Sequence, residues 1–159
     1  CWISGDLIDA SQKDVSGQKA WVRQWLENLK GKIFVCSGNH DVDGSDDAAW
    51  MRVPNIYADG DIKTIMGVKF GCVPYLCADI LDFAECDVLL AHVPPAHTQT
   101  AVEHGRDFGD KELYRALEHE LLKAKIILCG HVHDPLSRVD KIGNCKIYNS
   151  SLGLNIIEI

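Results

Sequence analysis

The sequence predicts an α/β fold, and three observations carry that prediction. Short apolar runs rich in β-branched residues recur along the chain, among them 32–36, 87–91 and 125–129. Two longer stretches space their apolar residues as a helix does, one over 17–30 and one after Asp110. Polar residues gather just past the carboxyl ends of the short runs, where open α/β sheets keep their chemistry.

Taken in order, Cys1-Trp2-Ile3-Ser4 is the tail of a buried strand that runs directly into Gly5-Asp6-Leu7-Ile8-Asp9. Over 17–30, Ala20, Trp21, Val22, Trp25, Leu26 and Leu29 fall on one helical face, Gly31 closes the pattern as a C-cap, and Trp21 and Trp25 are expected in the core. The strand over 32–36 follows, so strand, helix and strand imply a parallel pair joined by a crossover helix. That strand delivers the turn Ser37-Gly38-Asn39-His40-Asp41. Residues 48–52 suit a short helix before Pro54, and 62–66, Gly67 and 68–73 a hairpin that Pro74 ends. The strand over 87–91 stops at His92. From 93 to 110 no periodicity is present, which predicts a long loop of the kind that is usually functional. Asp110 is the N-cap of a helix expected to run through Lys123 with Leu113, Leu117, Leu121 and Leu122 inward. The strand over 125–129 leads into Gly130-His131-Val132-His133. A hairpin turning at Gly143-Asn144 and a last apolar run over 154–159 complete the chain.

Length and composition bound what this chain can do. Its 159 residues suit a single domain over 1–159, and an apolar share of 47% with 25% charged residues is that of an ordinary globular protein. No run approaches the ~20 apolar residues that span a bilayer, so no membrane association is expected. Twenty-three acidic against 16 basic side chains leave a net charge of -7 without any Lys/Arg cluster, which disfavours a long nucleic acid held by its backbone. The seven cysteines form no Cys-x-x-Cys pair and several sit in apolar runs, so free buried thiols in a reducing cytoplasm are expected.

Four strand ends carry the polar set: Asp6; Asn39 with His40 and Asp41; His92; and His131 with His133. Singly, each is an ordinary turn residue. One carboxylate, one amide and three imidazoles converging on one edge supply the mixed oxygen and nitrogen donors that suit Mn, Fe or Zn rather than Ca or a thiolate cluster.

Gly5-Asp6-Leu7-Ile8-Asp9, Gly38-Asn39-His40-Asp41, His92 and Gly130-His131-Val132-His133, in this order, resemble the motifs of the calcineurin-like metallophosphoesterase superfamily. The resemblance spans nearly the whole chain. It implies a sandwich of two mixed β-sheets flanked by helices and a site for two divalent metal ions, with Asp6 bridging them. Asn39, His92 and His131 would complete one ion and His133 would reach the other. His40 would face the substrate as general acid, held by Asp41, and Asp9 would stand behind the ligands. A metal pair can clamp a phosphoryl group and activate water against it, and a nearby imidazole can protonate the departing oxygen.

One part of the family pattern has no counterpart before Asp6: the Asp-x-His motif at the end of an earlier strand. A chain beginning at Cys1 inside a strand leads us to expect truncation at the amino terminus; the alternatives are a one-metal protein and a non-catalytic scaffold on the same fold. The expected activity is hydrolysis of a small phosphoester. His92-Val93-Pro94-Pro95 and the loop after it resemble members that cleave phosphodiesters, and a nuclease is the further enzymatic option.

Other candidates are weaker. His97 and Arg106 could line the substrate pocket from the long loop, and Asn149 resembles a family position that buttresses the site, though a plain turn explains it nearly as well. Asn39-x-Asp41-x-Asp43-Gly44 imitates an EF-hand start, but its twelfth position is Trp50 rather than Glu. Asp46 and Asp47 suit a solvated helix start, and His119 a solvent face.

Overall fold

A computed structural model describes residues 1–42, 48–151 and 153. In chain order the elements are β1 (Trp2–Ile3), α1 (Val15–Asn28), β2 (Ile33–Val35), β3 (Ile56–Tyr57), β4 (Ile62–Ile65), β5 (Val68–Cys72), β6 (Val88–Leu90), β7 (Val102–Glu103), β8 (Arg106–Asp107), α2 (Lys111–Glu118), β9 (Ile126–Cys129), β10 (Val139–Ile142) and β11 (Cys145–Asn149), with 3₁₀ turns at Ala48–Met51 and Ile80–Phe83. The expected runs over 43–47 and 154–159, with Asp43, Gly44, Asp46 and Asp47, lie outside the described residues.

The strands build two sheets. A three-stranded sheet has the order β1-β2-β3 and is parallel throughout among the described residues, where a mixed sheet was expected. A six-stranded mixed sheet has the order β10-β11-β9-β6-β5-β4. Its four central strands run parallel, and Leu90 and Tyr148 both register on Leu128, so the carboxyl ends of β6, β9 and β11 arrive at one edge.

Burial explains the layering. Phe34 and Cys36 from the small sheet meet Phe70, Cys72, Val88, Leu90 and Leu128 from the large one, forming the dry seam between the sheets. Phe34 sits 5.2 Å from the Phe70 ring and 4.9 Å from Tyr57, within the range of favourable aromatic pairs. The outer face of the large sheet packs on α2 through Leu113, Ala116 and Leu117, and the outer face of the small sheet packs on α1 through Val22 and Leu26. Each sheet is thus apolar on both faces, and the order is helix, sheet, sheet, helix.

Several expectations change. Helix α1 begins two residues earlier than expected because Asp14 caps it, accepting from the Gly17 N–H at 2.9 Å. Its buried stripe is narrow: Val22 and Leu26 lie inward, one residue on from Trp21 and Trp25, which are 67% and 38% exposed and not core. Helix α2 stops at Glu118 rather than Lys123, because Glu120 turns left-handed at φ 54°. The Leu121 N–H then bonds Ala116 O at 2.8 Å and the Glu120 N–H bonds Leu117 O at 3.0 Å, a Schellman closure made without glycine. Leu121, displaced from the helical face, is 51% exposed. The short helix expected over 48–52 is present as a 3₁₀ helix over Ala48–Met51. The long loop contains the small hairpin β7–β8, turned by His104 and Gly105 at φ 48° and 75°.

Glu120→Gly should stabilise the protein by about 0.5–1 kcal/mol, since glycine adopts the left-handed conformation without the Cβ penalty. Urea denaturation of the two proteins measures this directly.

Candidate metal centre

Two sharp turns bring the ends of β1 and β2 together. Gly5 and Asp6 both take positive φ, 84° and 53°, so the chain leaves β1 abruptly. Gly38 must approach equally closely: a Cβ on Gly5 would lie 2.6 Å from Gly38 N and 2.7 Å from His92 Nδ1. Asp41 locks the pair. Its carboxylate is fully buried and accepts from the Leu7, Ile8 and Gly38 N–H groups at 2.9, 3.3 and 2.9 Å. Burial pushes the Asp41 carboxyl pKa up, against the opposing pull of those N–H donors.

Four side chains from four strand ends then converge. His92 Nε2 lies 3.3 Å from Asp6 Oδ2 and 3.0 Å from Asn39 Oδ1. His131 Nδ1 lies 2.9 Å from the same Asn39 oxygen and 3.2 Å from His92 Nε2. The candidate ligand atoms of Asp6, His92 and His131 all fall within 4.8 Å of one another. His92 Nδ1 donates to Ser4 O at 2.5 Å, which fixes the tautomer and leaves the Nε2 lone pair facing inward. A carboxylate oxygen, an amide oxygen and two imidazole nitrogens therefore face one small volume with few protons to share, and a cation among them relieves the repulsion.

The protonation preferences agree with a cation. Burial raises the Asp6 pKa, but the His92 ring beside it and the hydrogen bond from the His40 N–H outweigh that, so the carboxyl ionises more readily than usual. For His131, burial and then the neighbouring His92 push the pKa down, keeping the ring neutral. Two left-handed residues, Asp6 and His131 at φ 53° and 65°, hold ligand positions, and strain of this kind gathers at functional sites. Asn149 secures the second of them: buried, it donates to Gly130 O and Val132 O at 3.2 and 3.1 Å, the two carbonyls flanking His131, and to Thr100 O at 3.0 Å.

The remaining candidates fall in different places. His133 is exposed and lines the same cleft of about 330 Å³ as Asp6, His92 and His131, but is not in the close cluster. His40 is not held by Asp41, whose oxygens are spent on backbone. Its Nδ1 accepts from the Ala10 N–H at 3.2 Å and stands 3.6 Å from Asp9 Oδ1. Asp9 is itself held by Ser11 and Gln12, which lower its pKa. His97 is engaged elsewhere, 3.4 Å from Asp107 and edge-on to Tyr114, and Arg106 is exposed in β8; neither lines the cleft. Two contributors were not expected from the sequence. Ser4 offers no motif because it acts through its backbone carbonyl. Tyr75, whose ring meets His92 edge-on at 6.1 Å, follows a hairpin whose end was expected but whose direction was not.

The family model for calcineurin-like phosphoesterases matches residues 2–135. The chain belongs to the calcineurin-like phosphoesterase family. Comparison with curated proteins found no match. Members are hydrolases of phosphoesters and typically bind divalent metals, and the Asp6, His92 and His131 cluster with Asn39 fits one such ion. Among the described residues no helix is long and apolar enough to cross a membrane.

Two outcomes test this construction. Asp41→Ala should cost about 3–5 kcal/mol in urea denaturation by stranding three buried N–H groups, and Asp41→Asn should cost less because one carbonyl acceptor remains. The pH dependence of the metal-free protein should carry a His131 signature. Its folded pKa lies below the ordinary histidine value of 6.5, so the folded state binds its proton more weakly than the unfolded chain. Stability is then full above that value and is lost as pH falls through the depressed one. His131→Gln should flatten that part of the stability curve.

Proposed function

We propose that this protein is a metal-dependent phosphodiesterase acting on small phosphodiesters, with Mn, Fe or Zn as its cation. The convergence of Asp6, Asn39, His92 and His131 from four separate strand ends carries this reading. A divalent cation held there supplies Lewis-acid activation of water and of a phosphoryl oxygen. A second ion would draw on Asp6 and His133 with donors beyond the close cluster. The net charge of -7 favours a small substrate over a long nucleic acid, and seven free thiols suit a reducing, cytoplasmic setting.

The residues of this chain would divide the remaining work. Hydrolysis joins a water oxygen to phosphorus and breaks the bond to the ester oxygen, which must leave with a proton. His40 is the candidate donor. Its Nδ1 accepts from the Ala10 N–H in the neutral ring; on protonation Nδ1 would donate to Asp9 instead, and the imidazolium would release its Nε2 proton to the departing oxygen and return to a neutral ring. Its backbone N–H meanwhile fixes Asp6 Oδ1 at 2.9 Å, so acid and ligand move as one turn. Asp9, at 3.6 Å, offers the imidazolium a counter-charge.

Calorimetric titration with Mn, followed by hydrolysis of bis-p-nitrophenyl phosphate and p-nitrophenyl phosphate, tests this. Metal binding with preference for the diester is expected, and His40→Gln should lower kcat by about 10²–10⁴ without loss of metal. Metal binding with no turnover of either ester would instead indicate an interaction scaffold.

A further inference from the structure

A second cleft of about 390 Å³ opens on the other side of His92. His92 lines both clefts, so this one borders the metal cluster. Its walls are Tyr75, Leu76, Ile80 and Leu113, with Asp110 and Glu112 along one side, and its described lining contains no Lys or Arg. Leu76 is the unusual member. It is 76% exposed and held at φ 59°, a conformation that costs a branched side chain about 1–2 kcal/mol. A large apolar side chain kept both strained and wet beside a catalytic cluster is the pattern of a binding determinant rather than of packing.

The turn that carries it is anchored to the metal-site turn. The Tyr75 N–H donates to Ser37 Oγ at 2.9 Å, and the Ser37 N–H donates to Asp59 at 2.8 Å. Ser37 immediately precedes Gly38 and Asn39. The wall of the cleft and a ligand-bearing turn are therefore tied by a direct hydrogen bond.

We infer that this cleft is the subsite for the organic group of the phosphoester, and that it selects a flat, apolar group without negative charge. The inference rests on the phosphoesterase reading. The apolar wall rewards a ring, whose edge or face can meet Tyr75 and Leu76. Asp110 and Glu112 repel a second phosphate or a carboxylate, and no cation in the described lining offsets them. Substrates with polyanionic organic groups are thus rejected by charge and small alkyl esters by lack of contact.

Non-hydrolysable phosphonates separate this subsite from the chemistry. Dissociation constants of methylphosphonate, phenylphosphonate and 3-carboxyphenylphosphonate would be measured by calorimetry in the presence of Mn. Phenylphosphonate should bind about tenfold more tightly than methylphosphonate, as burial of one ring against an apolar wall predicts. The carboxyphenyl compound should lose most of that gain. Leu76→Ala should reduce the phenyl-to-methyl ratio severalfold, and Leu76→Lys should restore binding of the carboxyphenyl compound. Equal affinity for the three compounds, or a ratio untouched by both Leu76 variants, overturns the subsite. Failure of methylphosphonate itself to bind overturns the phosphoesterase reading beneath it, and with it the subsite.

Discussion

The buried carboxylate of Asp41 is the constraint on which the rest of the site depends. It accepts three backbone N–H groups, two from the turn after β1 and one from the turn after β2. The Leu7 and Ile8 N–H groups of the turn after β1 meet their acceptor across the gap, on Asp41, and a buried N–H without a partner costs about 1–3 kcal/mol. The pairing of β1 with β2 extends over only two residues, Trp2 with Phe34 and Ile3 with Val35. A ladder that short does not place two loops to hydrogen-bond accuracy, so the carboxylate does what the ladder cannot. Asp6 and Asn39 inherit their separation from it.

The large sheet solves the same problem by register. Because β6, β9 and β11 run parallel with Leu128 opposite both Leu90 and Tyr148, the chain leaves all three strands at one level. His92 comes directly from the first exit and His131 from the second, while Asn149, at the end of the third, ties down the carbonyls on either side of His131. The two sheets meet through an apolar seam that tolerates little sliding, since Phe34, Cys36 and Cys72 are nearly or wholly excluded from solvent. Thiols in the seam stay protonated there: burial pushes Cys72 up to about 12. They serve as small apolar packing groups and not as ligands.

What was legible in the sequence follows from these physical origins. Strand ends and their polar residues were readable because packing alone does not call for glycine and a cluster of ligand types directly after a β-branched run, and Asp6, Asn39, His92 and His131 do meet. The role of Asp41 was not readable, because a carboxylate next to a histidine looks the same in sequence whether it holds an imidazole or three N–H groups. Helix edges were misjudged where the deciding residue was unconventional. Glutamate rather than glycine ends α2, and Asp14 caps α1 ahead of the apolar pattern. Trp21 and Trp25 satisfied the helical period, but a stripe built on Val22 and Leu26 is too narrow to bury them. The two-residue strands β3, β7 and β8 carry too little pattern to be seen, and Gly105 is the one residue of the β7–β8 turn that favours a left-handed conformation.

The pairing of His40 with Asp9 rather than Asp41 has a chemical logic that the sequence order conceals. A fully buried carboxylate committed to three N–H groups cannot also follow an imidazole through a change of charge, because every movement would break the turns it secures. Asp9 is solvent-facing, and its carboxylate is held by Ser11 and Gln12. It can stay anionic beside the acid of the proposed mechanism, and solvent reorganisation there costs little. Under the proposed role of His40 as acid, placing the structural carboxylate in the core and the responsive one at the surface lets the same pair of turns remain rigid around the candidate metal ligands and permissive around the acid.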